Sequence, residues 1–175
     1  MNKKRLRLVL IVIFFIFSGF ESLGFGRIYF DTITTMPRDT LKEFNGISVV
    51  VTQIEPEIEK DGLTQDRIKT DIEENLRGAG IKVLSREAWQ KEKGKPFIYV
   101  EPLIFKRKPK FGEGVEYFGV IKVEFRQLAS LVKSPGIKVF APTWERSSIT
   151  ITKNLISVQE DINNKIDIFI NSYKY

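Results

Sequence analysis

The chain has 175 residues, 42% of them apolar and 29% charged, with a formal net charge of +6; this suits one globular domain with a short appendage and is unlike a disordered chain. It has no Cys and no His. That excludes thiol nucleophiles, disulfides, His general bases, a Ser-His-Asp triad and metal sites built from His or Cys.

Lys3, Lys4, Arg5 and Arg7 precede an unbroken apolar run, Leu8–Phe17. The run is too short to span a bilayer, which takes roughly 20 apolar residues. A basic start followed by a short apolar core is the layout of a secretory signal. Small residues at Ser22 and Gly24 allow cleavage after Gly24, so residues 1–24 are expected to be a signal peptide or, uncleaved, an N-terminal anchor. The expected location is therefore periplasmic or secreted, with inner-membrane anchoring if the signal is retained. Residues 1–24 carry net +3, which leaves +3 for the rest. So weakly basic a body argues against nucleic acid as a partner.

Residues 25–45 lack periodicity and read as a linker, with the domain in 46–175. Ile47–Ile54 is rich in β-branched residues and predicts a buried strand ended by Glu55-Pro56, with an acidic loop beyond it. Thr64 is placed to cap a helix, with Leu63 and Ile68 as a hydrophobic staple. Ile68, Ile72, Leu76 and Ala79 then recur on one face. Gly80 suits the left-handed position that closes this helix, and Ile81–Leu84 predicts a second strand. Ser85–Lys93 predicts a short helical turn carrying Trp89, which is expected in the core.

Phe97–Phe105 predicts a third strand, at an edge or bulged because of Pro102. Val115–Leu131 predicts a fourth, in which Tyr117, Ile121, Val123 and Phe125 alternate with Glu116, Lys122, Glu124 and Arg126. Gly119 is expected to kink this strand. Ser134-Pro135-Gly136 predicts a turn, and Ile137–Ile151 a fifth strand broken at Pro142. A closing helix is expected from about Asn154 to Tyr173, with Ser157 and Glu160 as a capping box if it starts there. The expected fold is α+β: a two-layer sandwich with a mixed five-stranded sheet, order β-α-β-β-β-β-α, and two helices on one face.

The stretches Asp61–Trp89 and Arg126–Trp144, and the closing FINSYKY, resemble a family of uncharacterised small exported bacterial proteins, each with a signal peptide and one α+β domain. The resemblance covers roughly residues 46–173 and implies no activity and no catalytic residues. The layout is also similar, more loosely, to the periplasmic domains of secretion or Tol-type systems, a likeness of fold alone.

Several groupings invite a chemical reading. Glu55, Glu57, Glu59 and Asp61 offer carboxylates to a hard cation, but EF-hand spacing is absent and Pro56 and Ile58 intervene, so a solvated loop is expected. Asp66, Asp71, Glu73 and Glu74 could be read as acid–base pairs, but Asp66 and Asp71 are five apart and do not share a helix face well, Glu73 is spaced to pair with Arg77, and a solvated surface is expected. Ser130 and Lys133 match S-x-x-K, but in a strand pattern their side chains point apart. Gly112, Gly114 and Gly119 make no dinucleotide fingerprint. Lys106, Arg107, Lys108 and Lys110 form a basic turn, suited either to an anionic membrane surface or to a charged hairpin tip.

Two helices can cover only one side of the sheet. The fourth strand's outward set includes Phe118, Val120, Lys122 and Arg126, in which two apolar residues would need a cover. The expected function is thus a non-catalytic envelope module for protein binding or assembly. Its partner would be another envelope protein or a second copy, with no cofactor. The alternatives are a small-ligand binder with a pocket at the end of the sheet, and a carboxylate-based hydrolase.

Overall fold

The computed structural model describes residues 41, 44–109 and 113–174; the expected signal segment lies outside them. The architecture is α+β, with one mixed sheet in the order β1-β2-β3-β4. In chain order the elements are β1 (Ser48–Val51), α1 (Pro56–Lys60), α2 (Gln65–Gly78), α3 (Arg86–Lys91), β2 (Phe97–Arg107), β3 (Glu116–Leu131), β4 (Ser134–Thr152) and α4 (Ile156–Lys174). β1 runs parallel to β2, and β2, β3 and β4 form an antiparallel meander.

The sheet has four strands, not the expected five. Ile81–Leu84 makes a single parallel bridge, Ile47 to Val83, held by the Ile47 N–H on Lys82 O and the Leu84 N–H on Ile47 O. The chain cannot pair further because Ser85 at once caps α3, its hydroxyl accepting from the Ala88 amide. The expected acidic loop contains α1. Pro56 stands in its first turn, where a missing N–H costs nothing, and Ile58 anchors it in the core.

α2 follows its sequence signals. The Thr64 hydroxyl accepts from the Arg67 amide, and Ile68, Ile72 and Leu76 are fully buried. Gly80 has φ +81°, the left-handed conformation that lets the chain leave the helix and reach Ile81. α4 is capped by Asn154, whose side-chain oxygen accepts from the Ile156 amide. Ser157 therefore falls inside the helix and not at its start.

Pro102 sits in an interior strand. The Thr52 amide donates to Val100 O, so the backbone groups of Val100 and Pro102 face the β1 side, and β1 has ended before it reaches Pro102. The missing N–H is thus beyond the last ladder bond. Gly119 lies in unbroken strand, not at a kink. A Cβ there would stand 2.0 Å from the Leu103 carbonyl oxygen, so close strand approach requires Gly. The β3–β4 hairpin turns at Val132-Lys133, and Ser134-Pro135-Gly136 belongs to β4, with a register shift at Ser130/Leu131 absorbing the irregularity. A second shift lets Phe125 pair with Trp144 and Arg126 with Pro142, so Thr143 is the extra residue of a bulge beside Pro142.

One face of the sheet builds the core. Val49, Val51, Ile98, Val100, Ile104, Ile121, Val123 and Phe125 join the buried faces of α2 and α4 in a single cluster. Phe169 of α4 meets Phe125 at 5.3 Å and Trp144 at 5.4 Å between ring centroids. Leu41 is buried in the same cluster, and Phe44 packs on Phe125 and Tyr173, so the packed body begins inside the expected linker. Trp144 is the core tryptophan. Trp89, expected there, is half-buried; it stacks on Phe140, meets Phe97 edge-on and donates its indole N–H to Pro96 O.

Candidate functional site

Strand alternation fixes what the other face presents. Across β2, β3 and β4 the register aligns Leu103, Val120 and Ile149 in one row and Phe105, Phe118 and Ile151 in the next. These two rows form an apolar stripe in which Leu103 is 50%, Ile149 47%, Val120 40% and Phe105 39% exposed. The rings of Phe105 and Phe118 lie 5.6 Å apart. Isolated exposed apolar residues are ordinary, but four of them in adjoining rows, with the half-buried Phe118 and Ile151 between, form a patch.

Ionic groups border the stripe on both sides. Beyond the Leu103 row, Lys122 bonds Glu101 at 3.1 Å and Glu124 at 3.5 Å, and Arg126 bonds Glu124 at 2.5 Å while lying over the Tyr99 ring. Burial opposes the Lys122 charge, but Glu101 and Glu124 outweigh it and raise its pKa above the ordinary lysine value. Beyond the Phe105 row, Arg107 bonds Glu116 at 2.6 Å and covers the Phe118 ring. Glu116 and Glu124 lie on this outward face. Both are buried, because the arginines and Lys122 that neutralise them also cover them. Phe118, Val120, Lys122 and Arg126 therefore do share one face, with Glu101, Tyr99, Leu103, Phe105, Ile149 and Ile151 added by neighbouring strands.

The basic turn does not act as a unit. Lys106 and Arg107 point to opposite faces of β2, where Lys106 bonds Asp61 at 2.6 Å and Arg107 bonds Glu116. Lys108 is exposed, and Lys110 lies outside the described residues. Glu73 pairs with Arg77 at 2.7 Å as its spacing predicts. Ser130 and Lys133 are both exposed at the hairpin tip and form no site. Among the described residues no three carboxylates are grouped to hold a metal, and no helix is long and apolar enough to cross a membrane.

Two polar clusters lay beyond the sequence reading. In the first, Lys165 donates to Ser148 Oγ at 2.8 Å and to Asp161 Oδ1 at 2.9 Å, and the Ser148 hydroxyl donates to Asp161 Oδ2 at 2.6 Å. All three are at least nine-tenths buried between α4 and β4. The Ser–Lys distance is that of a nucleophile and its base, but with the lysine donating to the hydroxyl and the hydroxyl committed to Asp161, the arrangement pins the helix to the edge strand. Its sequence signal is Asp161 and Lys165 at i, i+4 within the apolar face of Val158, Ile162 and Ile166.

The second cluster stands at the end of the sheet, where the starts of α2 and α4 meet. Asp61 accepts from Lys106 and from the Tyr117 hydroxyl, the latter at 2.8 Å. The Lys106 hydrogen bond, then that of Tyr117, lowers the Asp61 pKa. Asp61 in turn raises that of Lys106, while burial first and Asp61 second raise that of Tyr117. Asp61 and Tyr117 form one wall of a cleft of about 270 Å³, which Arg67, Lys153 and Gln159 also line. Gln159 is 7% exposed, and neither its amide nitrogen nor its oxygen has a hydrogen-bond partner among the described residues. A larger groove, about 580 Å³, runs beside β1 between Val50, Trp89 and the Lys69–Glu73–Arg77 ion pairs of α2.

No family model matches this chain, and no curated protein does. Among solved structures, a chain of a PelC dodecamer from Paraburkholderia phytofirmans is similar at a TM-score of 0.40 and 16% identity, over 75% of this chain and 90% of that one. So distant a likeness carries no inference about function.

Proposed function

We propose that this chain is a non-catalytic envelope protein that assembles with a second copy of itself through the open face of its sheet. The supporting observation is the apolar stripe of Leu103, Phe105, Phe118, Val120, Ile149 and Ile151 between two ionic borders. A two-fold interface must match itself. An apolar centre whose borders each carry both charge signs meets that requirement, because either border can face either border of another copy. Export rests on the basic and apolar segments of Met1–Phe17.

The test is sedimentation velocity on the exported chain over a range of concentrations, beside a thermal melt. Phe118→Glu is expected to abolish self-association and leave the melting temperature nearly unchanged. A wild type that is monomeric at every concentration, or association that survives the substitution, overturns the reading. So does a large loss of stability, which would make Phe118 part of the core.

A further inference from the structure

The β3–β4 hairpin runs on past the packed body. Phe125 and Trp144 are buried, but every residue from Arg126 to Thr143 is at least partly exposed. The β3 residues from Arg126 to Leu131 make an arm of about 20 Å. Both faces of this ribbon are open. Leu128 pairs with Phe140 on one face and Ala129 with Val139 on the other.

The end of the arm is apolar where a turn needs no apolar residue. Hairpin turns favour Gly, Asn, Asp and Ser, which suit the tight backbone and face water. Here the turn is Val132-Lys133, and Val132 is 97% exposed. Leu131 before it and Ile137 after it are exposed as well. Charge alone would protect such a tip from edge-to-edge pairing, and three exposed apolar side chains work against that.

The charge around the tip is of one sign. Lys133 and Lys138 are exposed beside it, and the sequence has no Asp or Glu between Glu124 and Glu145. At the base of the arm the Leu128 amide donates to Gly94 O, which ties the loop carrying Lys93 and Lys95 to the hairpin. Shape points the same way. A convex tip buries little against a rigid surface, whereas lipid headgroups and acyl chains close around it on every side. Lysine stems can lie along apolar surface while their ammonium groups stay at headgroup level.

We propose that the β3–β4 tip inserts Leu131, Val132 and Ile137 into the interface of an anionic lipid bilayer, with Lys133 and Lys138 on the headgroups. Such insertion reaches roughly 5–10 Å, to the boundary of headgroups and acyl chains, and does not cross the bilayer. The surface is not the basic turn at Lys106–Lys108, which lies beside the opposite end of β3. It is also distinct from the apolar stripe: Val120 and Leu131 stand roughly 35 Å apart along β3, so the proposal does not depend on self-association.

The chain has no Cys, so Val132→Cys gives a single position for an environment-sensitive fluorophore on the full chain. Its emission reports the tip alone, whatever Met1–Phe17 does at a membrane. Vesicles of equimolar phosphatidylcholine and phosphatidylglycerol are expected to brighten it and shift it to the blue. Vesicles of phosphatidylcholine alone are expected to bind the tip at least tenfold more weakly. The same label on Glu74→Cys, exposed on α2, is expected to stay unchanged. In the chain labelled at position 132, Lys133→Gln with Lys138→Gln is expected to weaken binding about 25-fold, at about fivefold per lysine. Ile137→Asp is expected to abolish the response. Both variants are expected to melt as their parent does, because these positions are exposed. The proposal is overturned if anionic vesicles leave the label at position 132 unmoved, if neutral vesicles or the label at position 74 respond equally, or if either variant binds as its parent does. Emission that changes with protein concentration alone would assign the tip to contact between copies, and a lower melting temperature in either variant would assign it to the body's own packing; each overturns the proposal too. None of these readouts involves the stripe.

Discussion

Asp161→Ala tests the polar cluster under α4 most directly. It removes the carboxylate that Lys165 and Ser148 share, and leaves an ammonium group whose side chain is 7% exposed facing one hydroxyl. Stranding one partner of a buried pair costs about 3–5 kcal/mol, a large part of the roughly 5–15 kcal/mol that holds a domain folded. For a domain of this length the loss corresponds to a fall in melting temperature of roughly 10–20 °C. The paired change Asp161→Leu with Lys165→Met removes both charges together and fills the space with apolar groups. It is expected to return to near wild-type stability or exceed it, because desolvating an ion pair offsets most of its attraction. Urea unfolding of Asp161→Leu, Lys165→Met and the pair, analysed as a double-mutant cycle, gives the coupling directly. The reasoning fails if Asp161→Ala costs less than about 1 kcal/mol, or if the paired variant loses as much as the two singles combined.

Gly80→Val forces a β-branched residue into φ +81° and is expected to cost about 1–3 kcal/mol, read from the urea midpoint; a wild-type midpoint would show that the turn relaxes freely. The Asp61–Lys106–Tyr117 cluster gives a pH signature. Asp61 is lowered from 3.8, so its contribution is present above that value and is lost as pH falls through the lower folded pKa. Lys106 is raised from 10.5 and Tyr117 from 10.0, so their contributions are complete below those values and are lost as pH rises through the folded ones. The stability difference between wild type and Asp61→Asn should therefore be flat between pH 3.8 and 10.0 and shrink on both sides. A difference independent of pH from 2 to 12 would remove the ionic account.

Local chemistry made parts of the fold legible in advance. The Thr64 cap, the Ile68, Ile72 and Leu76 face and the positive φ of Gly80 all follow from neighbours a few residues apart. The pleat of β3 was readable too, since Ile121, Val123 and Phe125 alternate with charge. Partners distant in sequence were not. Whether Ile81–Leu84 becomes a strand depends on how much of β1 remains beside it, and the next residue, Ser85, had already claimed the chain for a helix. Glu124 looks solvated until Lys122 and Arg126 fold over it. Phe118 and Val120 suggested a covered surface, but only the register with Leu103, Phe105, Ile149 and Ile151 turns two residues into a stripe. Gln159 carried no signal at all, being one polar residue near the start of an amphipathic helix.

The sheet order has a consequence for how the chain reaches this state. β2, β3 and β4 are consecutive in sequence and meet through short connections, so each pairing closes a small loop. β1 meets β2 in parallel only after α1, α2 and α3 have been accommodated between them. Closing that longer loop costs more chain entropy before any contact compensates for it. The meander is thus the natural folding nucleus and β1 its late arrival, docking when α2 brings its apolar face down on the sheet. A refolding chain would then build its core from the C-terminal side, with β1, the strand nearest the N-terminus, the last to lock in place.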